Sequence, residues 1–198
     1  MLFRSQLVLN TTPTFARHWL LPRLGDFRRQ HPEVDLWIYS TDEVPEMTTQ
    51  TIDLAVRDDI SSQSECSFKV LYADRLYPAC HPSLLAVPSD QRTTLHGERE
   101  MDWSHWAVEA GIDVGQKDHG LNFSDPGLLL DAACAGLGIA LVSQLLSRQS
   151  RASGLLQPLV EETIRGPSWA LLTHRDSENS PLVRSFIEWL LSHLVAGS

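Results

Sequence analysis

Hydrophobic residues along the chain fall into short bursts separated by polar turns, and most bursts are rich in branched side chains. Short, branched, apolar runs of this kind are typical of strands buried in a sheet. The predicted strands are Gln6 to Asn10, Val34 to Tyr39, Ile52 to Arg57, Phe68 to Tyr72, Leu76 to Cys80, Thr93 to His96, Gly120 to Phe123, Gly138 to Val142, residues 155 to 160 and Ser168 to Thr173.

Helical patterns lie between these strands. Because Pro22 lacks an amide N–H, a main helix is expected to start near it, after a short turn over Phe15 to Trp19, with Leu24 and Phe27 on its inner side. Strands that alternate with helices predict an α/β fold with parallel strands and right-handed crossovers. The other predicted helices are Val44 to Gln50 (a helix or turn), Trp103 to Gly111, Leu128 to Ala135, Ser143 to about Ala152, and Pro181 to Val195.

The helix from Pro181 to Val195 has the clearest amphipathic pattern in the chain, and it is expected to pack its apolar side on the sheet. That side consists of Val183, Phe186, Ile187, Leu190, Leu191 and Leu194.

The charge of the chain argues against direct binding of nucleic acid. The 25 Asp and Glu residues outnumber the 16 Lys and Arg residues, so the formal net charge is -9 and phosphate backbones are repelled. Three widely spaced cysteines predict neither a disulfide framework nor a zinc site. No signal-peptide pattern and no run of eighteen apolar residues occurs, so we expect a cytoplasmic protein without a membrane span.

Several long segments carry a family resemblance. In chain order they are LVLNTTPTFARHWLLPRLGDFRRQHPEVDL, TIDLAVRDD, LYPACHPSLLA, LNFSDPGLLLDAACAGLGIALV and FIEWLL. Together they resemble the regulatory domains of LysR-type transcriptional regulators, in the subgroup that contains the glycine-cleavage activator and the β-lactamase regulator. The segments cover most of the chain in the family's order, which makes the match specific although each piece alone is weak.

The resemblance implies a periplasmic-binding-protein-like fold of type 2, in which two Rossmann-like lobes are joined by two crossing strands and a small-molecule effector binds between them. Lobe 1 is expected at residues 1–76 and 175–198, and lobe 2 at residues 77–174. The family places a winged helix-turn-helix DNA-binding domain ahead of this segment, and we expect that domain to be absent from this chain. Promoter DNA would then be bound only through that domain.

The loop after the first strand is the leading candidate for ligand binding. Ligands of open α/β sheets bind where strands end, and Thr11, Thr12, Pro13 and Thr14 lie there, ahead of a helix whose free N–H groups favour an anion. The resemblance implies that this loop lines the effector cleft. The alternative is ordinary capping of the helix by threonine.

Equivalent positions follow the next two strands. Ser40 and Thr41 are candidates after the second strand, whereas Asp42 fits a solvated helix cap at least as well. Arg57 ends the third strand, where a guanidinium could bind a carboxylate through paired hydrogen bonds. The alternative for Arg57 is a salt bridge to Asp53, Asp58 or Asp59.

In the second half of the chain, Phe123, Ser124 and Asp125 form the corresponding loop, which offers an aromatic wall and a carboxylate. Asp125 equally fits a cap of the helix that begins at Pro126. With Arg57 on the other lobe, Asp125 would suit a zwitterion such as an amino acid, held by its carboxylate and its ammonium group.

A histidine, two tryptophans and two glycines are further candidates for a binding site. His96, in LHGEREMDWSHW, matches a position of the subgroup pattern and is a candidate beside the pocket, although a lone histidine is more often structural. Trp103 and Trp106 lie three apart without interleaved basic residues, which predicts core packing. Gly136 and Gly138 precede a strand, so turn geometry explains them better than a phosphate loop.

No enzyme is predicted. The chain has no G-x-S-x-G, H-E-x-x-H, P-loop or paired-cysteine motif, so no catalytic residue, metal site or cofactor is assigned. The competing reading is a periplasmic solute-binding protein of a transporter, since such proteins share the two-lobed fold.

Self-association is the remaining expectation. The resemblance implies that regulatory domains pair side by side as antiparallel dimers, within a tetramer of the full regulator, through the first helix of each lobe. Burial inside the monomer is the alternative explanation of the apolar faces. The expected interface residues are Leu24, Phe27, Arg28, Leu128, Leu129, Asp131 and Ala132.

Overall fold

The computed structural model describes residues 6–47, 51–98 and 103–195. The strands are β1 (Gln6–Thr11), β2 (Asp35–Ser40), β3 (Leu54–Arg57), β4 (Cys66–Cys80), β5 (Thr94–Gly97), β6 (Gly120–Phe123), β7 (Ile139–Ser143), β8 (Gln157–Pro158) and β9 (Ile164–His174). The helices are α1 (Pro13–Phe15), α2 (Leu21–Gln30), α3 (Trp103–Glu109), α4 (Pro126–Cys134), α5 (Arg148–Ala152), α6 (Arg175–Glu178) and α7 (Pro181–Val195). None of these described helices has the length and apolar character needed to cross a bilayer.

The α/β pattern predicted from the sequence is confirmed, although several elements differ from the prediction in extent or type. The two apolar bursts that begin at Phe68 and Leu76 belong to one continuous strand, β4. The helix predicted from Ser143 is confined to α5, because residues 144–147 form a turn. Residues 44–47 are not helical, and the rest of that predicted element, residues 48–50, lies outside the described residues.

The chain divides into two units. Unit 1 contains the described residues within 1–16, 20–73 and 168–198, and unit 2 contains residues 17–19 and the described residues within 74–167. The chain passes from unit 1 to unit 2 inside β4 and returns inside β9. The lobe boundaries predicted at residues 76 and 174 stay a prediction.

The sheet of unit 1 brings three strand ends to one edge. Strand β1 is parallel to β2 and to β3, and β3 is antiparallel to β9. In this register Thr11 pairs with both Ser40 and Val56, the residue before Arg57. Since parallel strands end at the same edge, the loops after β1, β2 and β3 lie next to one another.

An aromatic cluster joins α2 to α7 in unit 1. The ring of Phe27 lies 5.1 Å from that of Phe186 and 5.4 Å from that of Trp189, and all three side chains are buried. Trp189 also donates from Nε1 to the Asp26 carboxylate at 3.3 Å. Burial of side chains of this size contributes about 1.5–3 kcal/mol each, so this cluster fixes α7 on α2.

Unit 2 has its own sheet and core. Strand β5 lies parallel to β6 and β7, and β7 is antiparallel to β4. Trp103 and Trp106 are buried as predicted, and their indole N–H groups donate to the carbonyls of Leu95 at 2.9 Å and Ile112 at 2.7 Å. Both tryptophans are therefore satisfied core residues.

The glycines of the AGLGIA segment serve backbone geometry. Gly136 follows α4 with φ of 78°, a conformation that side chains other than glycine rarely adopt. A Cβ atom on Gly138 would lie 2.4 Å from the carbonyl oxygen of Thr93, so only glycine fits at this position, next to the start of β5. The prediction of turn geometry in this segment is confirmed.

A π-helical turn, Ala16–Leu20, connects α1 to α2. Pro22 has no N–H to donate to the carbonyl of His18, and the Leu21 N–H reaches back to Ala16 instead, which widens the turn by one residue. Within unit 2, this turn places Arg17 Nη1 2.8 Å and His18 Nε2 3.7 Å from the Asp131 carboxylate on α4.

The charge state of His18 is set by two opposing effects. Burial lowers the pKa of His18, and the nearby Asp131 carboxylate raises it, with burial the larger effect. The net pKa lies below the ordinary value of 6.5. The folded protein therefore holds His18 neutral at a pH where the unfolded chain already binds a proton.

The free energy of unfolding is expected to depend on His18 as the pH falls below 6.5, because protonation then favours the unfolded chain. We expect the stability of the native protein relative to a His18→Gln variant to decrease between about pH 8 and about pH 5.5 in urea titrations. The control is His119→Gln, which alters an exposed histidine. A difference between native protein and His18→Gln that does not change with pH would contradict this assignment.

Candidate functional site

The loops after β1, β2 and β3 form one hydrogen-bonded group in unit 1, which we call the strand-end site. The Thr11 hydroxyl donates to the carbonyl of Val56 at 2.6 Å, which ties β1 to β3. The Thr41 N–H donates to the carbonyl of Thr11 at 3.1 Å, which ties the loop after β2 to the end of β1. The structure thus brings together the predicted residues Thr11, Thr12, Thr41 and Arg57.

Arg57 lies at the centre of this site and is fully buried. Its Nε and Nη2 atoms donate to the two carboxylate oxygens of Asp59 at 2.7 and 2.8 Å. Its Nη1 atom donates to Asn10 Oδ1 at 3.3 Å and to the carbonyl of Thr41 at 2.8 Å, and Nη2 also donates to the carbonyl of Asp42 at 3.0 Å.

These five hydrogen bonds use all five N–H groups of the Arg57 guanidinium. In this conformation Arg57 has no donor left for the carboxylate of a ligand. The salt bridge to Asp59, which was the alternative for Arg57, is the one observed. Arg57 therefore acts on the site by holding the loops after β1 and β2 in position.

The threonine hydroxyls of the loop after β1 differ in whether the fold engages them. Thr12 caps α1, because its hydroxyl accepts from the Phe15 N–H at 3.2 Å. Thr14 is buried, and its hydroxyl makes no hydrogen bond with any described residue. Its backbone N–H lies in the first helical turn, where no intrahelical acceptor exists. Pro13 is half-buried beside it, so Thr14 offers two donors from this loop.

The loop after β2 is more exposed. The Thr41 hydroxyl accepts from the Glu43 N–H at 3.1 Å, which closes a local turn. Ser40 is exposed at the end of β2, where its hydroxyl can reach a ligand. The side chain of Asp42 is also exposed, while its carbonyl is held by Arg57.

In unit 2 the loop after β6 is organised by a helix cap. Asp125 accepts from the Leu128 N–H at 2.6 Å, so the predicted alternative, capping of α4, is observed. Phe123 is half-buried and its carbonyl accepts from the Glu98 N–H at 3.1 Å, while Ser124 is exposed. The carboxylate that was expected to bind an ammonium group is thus engaged in the fold.

His96 lies on the face of β5 that points away from α4. A Cβ atom on the next residue, Gly97, would contact Leu129 of α4 at 3.4 Å, and neighbouring residues of a strand point to opposite faces. The His96 ring packs against Gly120 at the start of β6, with Nε2 buried and without a hydrogen-bond partner. This environment places His96 beside the beginning of β6.

The predicted interface residues fall into two groups. Phe27, Leu129 and Ala132 are buried within their own units, which agrees with the alternative explanation of the apolar faces, and their assignment to an interface stays a prediction. Leu128 is 52% exposed and Arg28 is exposed, so these two remain accessible. Leu24 is half-buried, and Asp131 is bound to Arg17.

The sequence did not point to two residues of unit 1, Asn10 at the strand-end site and Trp169 beside α1. Asn10 is 1% exposed and accepts from Arg57, and the Trp169 ring contacts that of Phe15 with centroids 4.8 Å apart and planes tilted by 39°. A polar residue inside the apolar strand LVLN was a signal for a buried partner, because a buried amide must be hydrogen-bonded. No local pattern links Trp169 to Phe15, which is far away in the sequence.

Neither thiol nor metal chemistry is indicated in the described part of the chain. Cys66, Cys80 and Cys134 are free, and burial raises the pKa of each thiol, which disfavours the nucleophilic thiolate. Among the described residues, no group of three or more His, Cys, Asp or Glu side chains is placed to hold a metal ion.

Removal of the Asp59 carboxylate should expose how much the site depends on Arg57. Asp59→Ala leaves a buried guanidinium without its charged acceptor, and we expect a loss of about 2–3 kcal/mol in the free energy of unfolding. The matched control is Asp42→Ala, which removes an exposed carboxylate from the same loop group and keeps the carbonyl that Arg57 binds. Equal losses in the two variants, measured by urea denaturation, would refute this role of Asp59.

Comparison with known proteins identifies the fold. The family model described as the LysR substrate binding domain matches residues 2–195. The effector domain of the transcriptional regulator AmpR of Pseudomonas aeruginosa has a TM-score of 0.76 with this chain at 25% identity, and the match covers 97% of this chain and 96% of that one. The AmpR effector binding domain from Citrobacter freundii gives the same TM-score at 24% identity, covering 96% and 98% of the two chains. The expected periplasmic-binding-protein-like fold of type 2 is thereby confirmed.

Relatives in sequence are transcriptional regulators. The glycine cleavage system transcriptional activator of Escherichia coli K12 is 26% identical, over 98% of this chain and 66% of that protein. The HTH-type transcriptional regulator PerR of the same organism is 32% identical, over 96% of this chain and 67% of that protein. This chain therefore spans about two thirds of the length of these relatives, and it belongs to the LysR substrate binding domain family.

Proposed function

We propose that this chain is the effector-sensing domain of a LysR-type transcriptional regulator and that it binds a small metabolite at the strand-end site of unit 1. The observation that carries the proposal is the family match over residues 2–195. The site geometry supports it, because the ends of three parallel strands meet there and the Thr14 hydroxyl is left without a partner among the described residues. Loops after parallel strands are the usual ligand positions of α/β sheets.

In a transcriptional regulator, binding of the effector must change how the protein binds DNA. An effector that binds one conformation of the domain more tightly shifts the equilibrium towards it, and about 1–3 kcal/mol of coupling is enough to alter promoter binding. This chain carries a net charge of -9, so we assign DNA contacts to a helix-turn-helix segment outside these 198 residues. The name of the PerR relative and the greater length of the relatives support that assignment, and a regulator of this kind acts in the cytoplasm.

Two other functions are less well supported. A transporter's solute-binding protein shares the fold, but the relatives found in sequence are named as transcriptional regulators. An enzyme would need an activated nucleophile or a metal, and the raised pKa values of the thiols do not favour the first. We therefore propose that the chain binds its ligand without converting it.

The free groups at the strand-end site favour a particular kind of contact. Arg57 is fully engaged, so the ligand meets neutral donors, namely the hydroxyl and N–H of Thr14 and the hydroxyl of Ser40. Such donors bind a carboxylate, carbonyl or hydroxyl oxygen. An amino acid or a related carboxylate stays a candidate effector, but its carboxylate would be bound by neutral donors here.

A thermal-shift screen of this chain over amino acids, organic acids, sugars and short peptides tests the proposal, since a specific ligand stabilises the folded state by mass action. For any compound that raises Tm, we expect Thr14→Val to weaken binding about tenfold in calorimetric titrations, because one hydrogen bond is lost. Thr51→Val, which alters an exposed threonine, is the control. Turnover of the compound, or binding that is unaffected by Thr14→Val, would count against the proposed site.

We further propose that two copies of the domain associate through α2 of one copy and α4 of the other. Leu128 is exposed on α4 although leucine prefers burial, and Arg28 is exposed on α2, so both are available to a partner. The buried side chains Phe27, Leu129 and Ala132 support these helices from within their own units.

Leu128→Glu should weaken the dimer without unfolding the monomer, because it introduces a charge at an accessible position. We expect sedimentation to show at least about a tenfold rise in the dimer dissociation constant. Leu155→Glu is the matched control, since Leu155 is 48% exposed and does not belong to either helix. If both variants sediment as the native chain does, α4 does not form the interface.

A further inference from the structure

Unit 1 contains a second recess, separate from the strand-end site. It is an open recess bordered by β4, β9, α6 and α7, and its volume of about 400 Å³ is within the range of small-molecule pockets. We call it the α7 groove. Leu171 and Ile187 give it an apolar lining, from β9 on one side and α7 on the other.

Thr173 places a hydroxyl on the lining of this groove. Thr173 is 2% exposed and lies two residues after Leu171, so both side chains point to the same face of β9. The Thr173 hydroxyl makes no hydrogen bond with any residue in the described ranges. Because Thr173 lines the recess, its hydroxyl is available to a ligand there.

Charged side chains of both signs line the groove. Lys69 and Arg184 are its cations, and Glu178 and Glu188 are its carboxylates. No ion pair joins these four residues in the described part of the chain. Arg184 is oriented by neutral acceptors instead, since Nε donates to the carbonyl of Glu178 at 3.3 Å and Nη2 to Asn179 Oδ1 at 2.6 Å.

We propose that the α7 groove is a second small-molecule site, which binds a zwitterionic α-amino acid with an aliphatic side chain. Lys69 and Arg184 bind the carboxylate, with a hydrogen bond from Thr173, and Glu188 binds the ammonium group. The side chain packs on Leu171 and Ile187. This assignment is independent of the proposed effector site in the strand-end loops. Arg57 of that site and Asp125 of unit 2, the two groups expected to hold a zwitterion, are already engaged by the fold.

The test is a titration of the 198-residue chain with L-leucine, 4-methylpentanoate and 3-methylbutylamine, followed by calorimetry and by amide chemical shifts. The last two compounds keep the side chain of leucine and lack its ammonium or its carboxylate group. We expect L-leucine to shift the amide signals of Lys69, Thr173 and Glu188, and each analogue to bind at least about tenfold more weakly.

Variants that remove single charges test which side chains of the α7 groove bind the ligand. Lys69→Met and Glu188→Gln should each weaken L-leucine binding about tenfold or more. The matched controls Lys117→Met and Glu161→Gln, which alter charges in unit 2, should leave it unchanged. Analogues that bind as tightly as L-leucine, or no binding by L-leucine, L-valine or L-methionine up to about 50 mM, would overturn the proposal.

The same titration separates this site from the effector site. If L-leucine shifts the signals of Thr14 and Ser40 and loses affinity in Thr14→Val, the strand-end site binds it and the α7 groove assignment is overturned. If Thr14→Val binds L-leucine normally and Lys69→Met does not, the α7 groove is supported whatever the identity of the effector.

Discussion

The geometry of the strand-end site depends on one buried guanidinium. A charged group that is removed from water must be fully hydrogen-bonded and paired, or the fold loses several kcal/mol. Arg57 meets this requirement with a bidentate salt bridge to Asp59 and with acceptors from the loops after β1 and β2. The positions of those loops are therefore set before any ligand arrives, which is the condition for a preorganised site.

Part of this arrangement could be predicted from the sequence. Strand β6 and helix α7 were predicted with the bounds that are observed. A short apolar run between turn residues is typical of a strand, and a long amphipathic pattern is typical of a helix. A salt bridge was also foreseen as the alternative role of Arg57. The sequence pattern could not show which of Asp53, Asp58 and Asp59 forms that salt bridge. Asp53 turns away to accept from the Val8 N–H at 2.9 Å and the Ser177 hydroxyl at 2.7 Å, and the bend after β3 brings Asp59 back to Arg57.

Residue type alone could not separate capping from ligand binding. Threonine and aspartate before a helix can do either, and the structure shows that Thr12 and Asp125 cap while Thr14 remains available. The apolar faces of α2 and α4 pose the same problem. Periodicity identifies the side of a helix that is buried, but the partner that buries it is decided by tertiary packing. Phe27 is covered by α7 of its own unit, whereas Leu21 on α2 and Leu128 on α4 are exposed.

The distribution of cations explains where an anionic group can be recognised by charge in unit 1. The chain has 16 Lys and Arg residues against 25 acids, and Arg17, Arg29 and Arg57 form ion pairs with aspartates within the fold. Arg57 is paired with Asp59, and all of its N–H groups are engaged. Its guanidinium therefore holds the surrounding loops in place but has no donor left for a ligand. Lys69 has no ion-pair partner among the described residues, and Arg184 is held only by neutral oxygens. A carboxylate that enters unit 1 thus meets an uncommitted cation at the α7 groove and neutral donors at the strand-end site, so the two sites should select ligands by different chemistry.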